Sequence, residues 1–156
     1  MTEYFINTPR TCAVSGHRRL PENFDREGLK KLFIKFIEKN FDTFLIGMAI
    51  GFDTLCFNVL EELRKDYKIK LIACVPCLGQ SDRFSEKDKK EYNRMIQSSN
   101  EVVYVNRNYS KYCMTLRNKF MVDNCSVLIC YLRQNYGGTY STKKYAEKQG
   151  IPIYLV

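Results

Sequence analysis

Leu45-Ile46-Gly47-Met48-Ala49-Ile50-Gly51-Phe52-Asp53 is the stretch that decides the fold of this chain. The apolar run Thr43 to Ile46 reads as a short strand, and two glycines four residues apart follow it. From about Asp53 the apolar positions Leu55, Cys56, Val59, Leu60 and Leu63 recur at helical spacing. The local reading is therefore strand, tight loop, helix. Glycine lets a backbone approach a ligand closely. The first turn of a helix offers unpaired N–H groups and partial positive charge, which suits a phosphate or another anion. Glycines at such a turn also serve packing alone, so the loop needs support from elsewhere in the chain.

The same alternation runs outward in both directions. Thr11 to Ser15 is a strand ending at Gly16, and Asp25 caps a helix with Leu29, Leu32, Phe33, Phe36 and Ile37 on one face. Ile69 to Val75 is a third strand, stopped by Pro76. Ser85 and Asp88 resemble a capping box before a helix through Tyr92, Met95 and Ile96. Glu101 to Val105 is a fourth strand, and a helix runs from about Cys113 to Asp123. Ser126 to Leu132 is the most continuous apolar strand. Gly137-Gly138-Thr139 leads into a helix closing at Lys148 and Gly150, before a last strand, Ile151 to Val156. Strands alternating with helices predict an α/β fold: a Rossmann-like, three-layer αβα arrangement around a mostly parallel sheet of about six strands. One domain over residues 1–156 is expected.

Composition narrows the class. Hydrophobic residues make up 45% and charged residues 27%, and no apolar run reaches the roughly 20 residues that cross a bilayer. Met1-Thr2-Glu3-Tyr4-Phe5-Ile6 lacks the blocks of a signal peptide, so a cytoplasmic location with no membrane partner is expected. The seven cysteines are odd in number and several lie inside apolar runs, which reads as small buried hydrophobes. Cys74-Val75-Pro76-Cys77 has redox-motif spacing but closes a strand instead of opening a helix, and one histidine with one close cysteine pair is a poor zinc set. No metal and no cofactor are expected. The net charge of +8 favours anionic partners, nucleotides or nucleic acid. The lysine clusters (Lys30, Lys31, Lys35; Lys87, Lys89, Lys90; Lys143, Lys144, Lys148) fall on three separate helices, however, and read as solvated faces.

In a parallel sheet, ligands bind outside the carboxyl ends of the strands. The loops Ser15–Arg18, Gly47–Asp53, Pro76–Arg83 and Gly137–Thr139 all follow strands and so should share one rim. His17 would act as acid or base, or bond a ribose or base, and Arg18 would grip a phosphate. Asp53 either caps its helix or accepts hydrogen bonds from ribose hydroxyls. Gln80 and Arg83 lie on a loop long enough to fold over a ligand, and Tyr136 and Tyr140 could stack on a base. Arg117, Asn118 and Asp123 lie on the helix before the most apolar strand.

These residues, in this order, resemble a known family. Cys12-Ala13-Val14-Ser15-Gly16-His17-Arg18 is similar to its opening "TGHR" motif. Gly47-Met48-Ala49-Ile50-Gly51-Phe52-Asp53 resembles "GMAxGxD", and Pro76-Cys77-Leu78-Gly79-Gln80 with Arg83-Phe84-Ser85 resembles "PCxGQxxxWS". Met114-x-x-Arg117-Asn118-x-x-Met121-Val122-Asp123 and Gly137-Gly138-Thr139 complete the set. The pattern is that of the YpsA-like proteins in the SLOG superfamily, which also contains DprA DNA-processing proteins and LOG-type nucleotide phosphoribohydrolases. The resemblance implies the SLOG fold and a nucleotide pocket, in relatives proposed to act in stress or phage defence. LOG-type hydrolases carry PGGxGTxxE; here Tyr136-Gly137-Gly138-Thr139-Tyr140-Ser141-Thr142 lacks the proline and one glycine, and Thr142 stands where the glutamate would fall.

Three functions are consistent with this reading. The first is binding of a nucleotide or nucleotide-derived signal, of ADP-ribose type, as sensor or sequestering protein. Gly47, Met48, Ala49, Gly51, Gly137, Gly138 and Thr139 would lie on the ligand, with Ser15, Gly16, His17, Arg18, Asp53, Pro76, Gln80, Arg83, Arg117, Asn118 and Asp123 around it. The second is a nucleotide N-glycosidase or phosphohydrolase using Asp53, since glycoside cleavage needs a carboxylate that the departure at Thr142 removes. The third is DprA-like binding of single-stranded DNA. A homo-oligomer is plausible from the superfamily alone.

Overall fold

Thr11–Gly16 (β1), buried along its first four residues, is the strand on which the architecture hinges. It pairs in parallel with Thr43–Ile46 (β2) on one side and with Val127–Tyr131 (β5) on the other, Ala13 lying opposite both Leu45 and Leu128. Lys70–Val75 (β3) and Glu101–Tyr104 (β4) extend the sheet beyond β2, and Ile153–Leu155 (β6) extends it beyond β5. The order is β4-β3-β2-β1-β5-β6, every pairing parallel. The computed structural model describes residues 6–156. The reading of the N-terminal stretch as no signal peptide falls, but for Ile6, outside the described residues.

Side chains alternate across the pleat, and the two faces take different helices. Cys12, Val14, Phe44, Ile46, Leu71, Ala73 and Val75 pack with Arg26–Glu38 (α1), Phe52–Leu63 (α2) and Glu86–Ser98 (α3). Ala13, Leu45, Ile72, Cys74, Leu128 and Cys130 pack with Cys113–Asp123 (α4) and Gly138–Lys148 (α5). Phe33, Phe44, Phe52 and Phe57 are fully buried, each contributing about 1.5–3 kcal/mol of transfer free energy. β2 and β5 are buried at every residue, as strands covered on both faces should be.

Local signals set the helix ends. Asp25 accepts the Gly28 N–H at 2.9 Å and Ser85 accepts the Asp88 N–H at 3.1 Å. Gly150, at φ +72°, lets the chain leave α5. The three lysine clusters lie on α1, α3 and α5 as expected. All seven cysteines are buried and free. Among the described residues, no helix is long and apolar enough to cross a membrane.

From β1 to β4 the chain lays each strand outward on one side, then returns to place β5 against the other side of β1. The carboxyl ends of β1 and β5 are thus a topological switch point, where the two loops diverge and leave a crevice.

Candidate functional site

A cavity of about 370 Å³ occupies that crevice, within the usual range for small-molecule sites. Ser15, Gly16, His17 and Arg18 line it from the end of β1, Gly47, Ala49 and Asp53 from the β2–α2 junction, Arg117 and Asn118 from α4, and Gly138 and Thr139 from the start of α5. Three of the four loops expected on one rim therefore converge there.

The β1 loop is held by its own histidine. The His17 carbonyl accepts the Phe52 N–H at 3.0 Å, and Nε2 accepts the Arg133 N–H at 2.8 Å. The ring meets Tyr131 edge-on at 5.5 Å. With Nε2 accepting, the neutral ring carries its proton on Nδ1, so His17 joins the β1 loop to the β5 loop. Arg18 is exposed, its side chain free to meet an anion.

The β2–α2 loop is closed by polar contacts. Asp53 Oδ2 accepts the Ala49 N–H at 3.1 Å, and Thr54 Oγ1 donates to the Ala49 carbonyl at 3.0 Å. Gly51 has φ +85°, and a Cβ there would lie 2.3 Å from the Arg18 carbonyl oxygen, so only glycine fits. Gly51, not Asp53, is the N-cap residue of α2. Met48 also has positive φ, +67°, and its side chain is 1% exposed in the core. Met48 therefore does not face the cavity: the left-handed backbone turns it inward.

α4 presents a buried arginine. Arg117 is 4% exposed; it donates to the Gly47 carbonyl, to the Cys74 carbonyl at 3.3 Å, and through Nε to Asn118 Oδ1 at 2.8 Å. A Cβ at Gly47 would lie 2.8 Å from Arg117 Nη1 and 3.1 Å from Asp53 Oδ2. Glycine at 47 leaves room for the guanidinium and the carboxylate side by side against its backbone. Burial pulls the Arg117 guanidinium below its usual range, opposed by the charge of Asp53. Asp53, 6% exposed, has its carboxyl pushed up to about 6 by burial, opposed by Arg117, the Ala49 N–H and Arg18. Its Oδ1 has no hydrogen-bond partner. Asp53 lines the cavity, and a buried carboxylate oxygen without a partner is costly unless something completes it.

The remaining expected residues stand apart from the cavity wall. Gln80 donates to the Gly47 carbonyl at 3.0 Å and accepts from Tyr92 Oη at 3.1 Å, so it braces the β2 loop from behind. Gln80→Ala should cost about 1–2 kcal/mol, read as a lower urea midpoint. The Pro76 carbonyl accepts from Asn106, and Arg83 is exposed. Gly137, at φ +92°, caps α5 without lining the cavity. Asp123 lies at the far end of α4, roughly 9 Å along the axis from Arg117, where it accepts from Tyr145 Oη at 2.7 Å. Thr142 donates to the Gly138 carbonyl at 2.8 Å, so α5 brings no carboxylate to the cavity.

Val14, Met114, Met121 and Gln134 also line the cavity and were not expected there. Met114 and Met121 stand three before and four after Arg117, on one helix face; that spacing was the available signal. Nothing local marks Gln134.

A family model described as the YspA SLOG family matches residues 23–156. A UPF0398 protein of Brevibacillus brevis is 23% identical over 128 residues, 80% of this chain and 68% of that protein. Among solved structures, DNA processing protein A from Helicobacter pylori, described for its single-stranded DNA binding mode, gives a TM-score of 0.68 at 21% identity, over 96% of this chain and 66% of that one. DprA from Streptococcus pneumoniae gives 0.66 at 20%, over 95% of this chain and 50% of that one. The chain thus spans half to two thirds of those two proteins, and the likeness is one of fold.

Proposed function

This chain belongs to the YspA SLOG family, and from that premise we propose that the crevice between β1 and β5 binds a nucleotide-derived small molecule, as a sensor or sequestering site. The observation that carries the reading is Asp53, which keeps one buried carboxylate oxygen, Oδ1, without a partner and lines a cavity that also meets the first turn of α5. The N–H groups of that turn have no intrahelical acceptors and present partial positive charge to a phosphate. Arg18 adds a charged donor at the mouth. A carboxylate beside a phosphate repels it, so Asp53 takes the sugar: Oδ1 accepts from a ribose hydroxyl. Arg117, spent on the Gly47 and Cys74 carbonyls, holds the loop and leaves the ligand's charge to Arg18 and α5.

Calorimetric titration with AMP, ADP and ADP-ribose tests this. Binding by at least one of them is expected, and Arg18→Ala should weaken it roughly tenfold or more, the worth of one charge-assisted hydrogen bond. No heat of binding from any of the three at millimolar concentration would reject it.

A second reading has its own observation. Tyr109, Tyr112 and Tyr136, 78%, 59% and 68% exposed, stand on loops of the same rim, with Lys111 Nζ 5.0 Å from the Tyr112 ring centroid. Exposed aromatics beside cations suit stacked single-stranded bases. An oligonucleotide affinity that falls steeply with salt would support it; no binding at low salt would remove it.

A further inference from the structure

Cys77 and Cys113 stand 36 residues apart in sequence, yet their Sγ atoms lie 3.7 Å from one another. Cys77 is in the loop just past β3, and Cys113 is the first residue of α4. Both are buried, at 3% and 1% exposure, but each adjoins an exposed residue, Leu78 or Tyr112. Backbone contacts tie the β3 loop to the stretch after β4 and close the turn that starts α4. Leu78 N–H donates to the Arg107 carbonyl at 3.3 Å, and Cys113 N–H donates to the Ser110 carbonyl at 3.2 Å. The motif spacing Cys74 to Cys77 is not the pair: the Cys74 thiol turns to the Ile72 carbonyl, 3.9 Å away, on the α4–α5 side of the sheet. Among the described residues no third cysteine, histidine or carboxylate joins the two sulfurs to make a metal cluster.

We propose that Cys77 and Cys113 are an oxidation site, forming a reversible intramolecular disulfide with hydrogen peroxide as oxidant. One thiolate attacks a peroxide oxygen, giving a sulfenic acid and releasing hydroxide. The second thiol attacks that sulfur and expels water. The two thiols together lose two protons and two electrons, and the peroxide takes them up to become two waters. The sulfurs need approach by roughly another 1.7 Å, a shift that side-chain rotation and a small movement of the first turn of α4 supply. The bond would tie the β3 loop to the start of α4. On α4, Met114 next to Cys113 and Arg117 and Asn118 about one turn further along reach the cavity, so the cross-link fixes the helix that forms one cavity wall.

The test uses the reduced full chain with no ligand, so its outcome is separate from that of the nucleotide reading. Peroxide treatment should give a species lighter by about 2 Da, and alkylation under denaturing conditions should then leave two cysteines unmodified. Its digest should contain the Cys77 and Cys113 peptides linked, and dithiothreitol should restore both. The melting temperature should rise by roughly 5–10 °C from closing a loop of this length. Cys77→Ser and Cys113→Ser should each abolish the mass loss. Peroxide-treated wild-type protein that keeps both thiols alkylatable, or links a different pair, would overturn the proposal, and that readout on the wild-type chain holds even if a variant folds poorly.

Discussion

Arg117→Ala is expected to cost about 3–5 kcal/mol of unfolding free energy, the usual penalty for removing one partner from a buried charged group. The substitution would take the guanidinium from the Gly47 carbonyl, leaving it to Gln80 alone, and from the Cys74 carbonyl, and would remove the charge that most favours the Asp53 carboxylate. It would also open a void beneath the loop that shapes the cavity. The expected readout is a melting temperature lower by roughly 10 °C, with an unchanged urea slope. Arg117→Lys should recover part of the loss, since one ammonium reaches fewer acceptors than a guanidinium fork. A variant melting with the wild type would show that Arg117 does not hold this loop.

Asp53→Asn should do the opposite near neutral pH. The Asp53 carboxyl rises from 3.8 to about 6 on folding because burial outweighs Arg117 and the Ala49 N–H. Between those values the native chain keeps a proton that the unfolded chain has lost. Stability therefore falls as pH rises through this window, by about 3 kcal/mol for a gap of about two units, and levels off above about pH 6. Asparagine stays neutral, and its side-chain oxygen can still accept from Ala49. The variant should match the wild type below about pH 4 and exceed it by up to about 3 kcal/mol above about pH 6. Urea unfolding of both proteins across that range checks this. If the variant is less stable at every pH, the attraction of the Arg117 charge outweighs the burial of Asp53. The same variant discriminates binding from turnover: base or phosphate release lost in Asp53→Asn with binding retained would make the site an enzyme.

What could be read from the sequence was local. The β2–loop–α2 junction, the caps at Asp25 and Ser85, the exit at Gly150 and six strands in an α/β pattern depend on residues within a turn or two of one another. Strand order did not have that character. That β5 returns to the far side of β1 follows from long-range pairing, and it is why the Pro76–Arg83 loop, two strands from the switch point, braces the cavity through Gln80 instead of lining it. Asp123 shared a motif with Arg117, but six residues along a helix carry a side chain away from the strand ends that bear the site. Met48 lay between two glycines, and it is the positive φ, which local sequence does not announce, that goes with its burial in the core. His17 read as a chemical group; its Nε2 is occupied by the Arg133 N–H, a contact across 116 residues. The cysteine spacing pointed from Cys77 to Cys74, while the fold placed Cys113 beside it.

The central claim is that the loops after β1, β2 and β5 enclose one anionic small molecule. Amide chemical-shift mapping of ¹⁵N-labelled protein titrated with ADP-ribose tests it most directly. The largest shifts should fall together on Gly16 to Arg18, Gly47 to Asp53 and Gly138 to Thr139, and saturate with a single affinity. Saturable shifts confined to other surfaces, or none in these three loops at millimolar ligand for ADP-ribose, ADP and AMP alike, would contradict it.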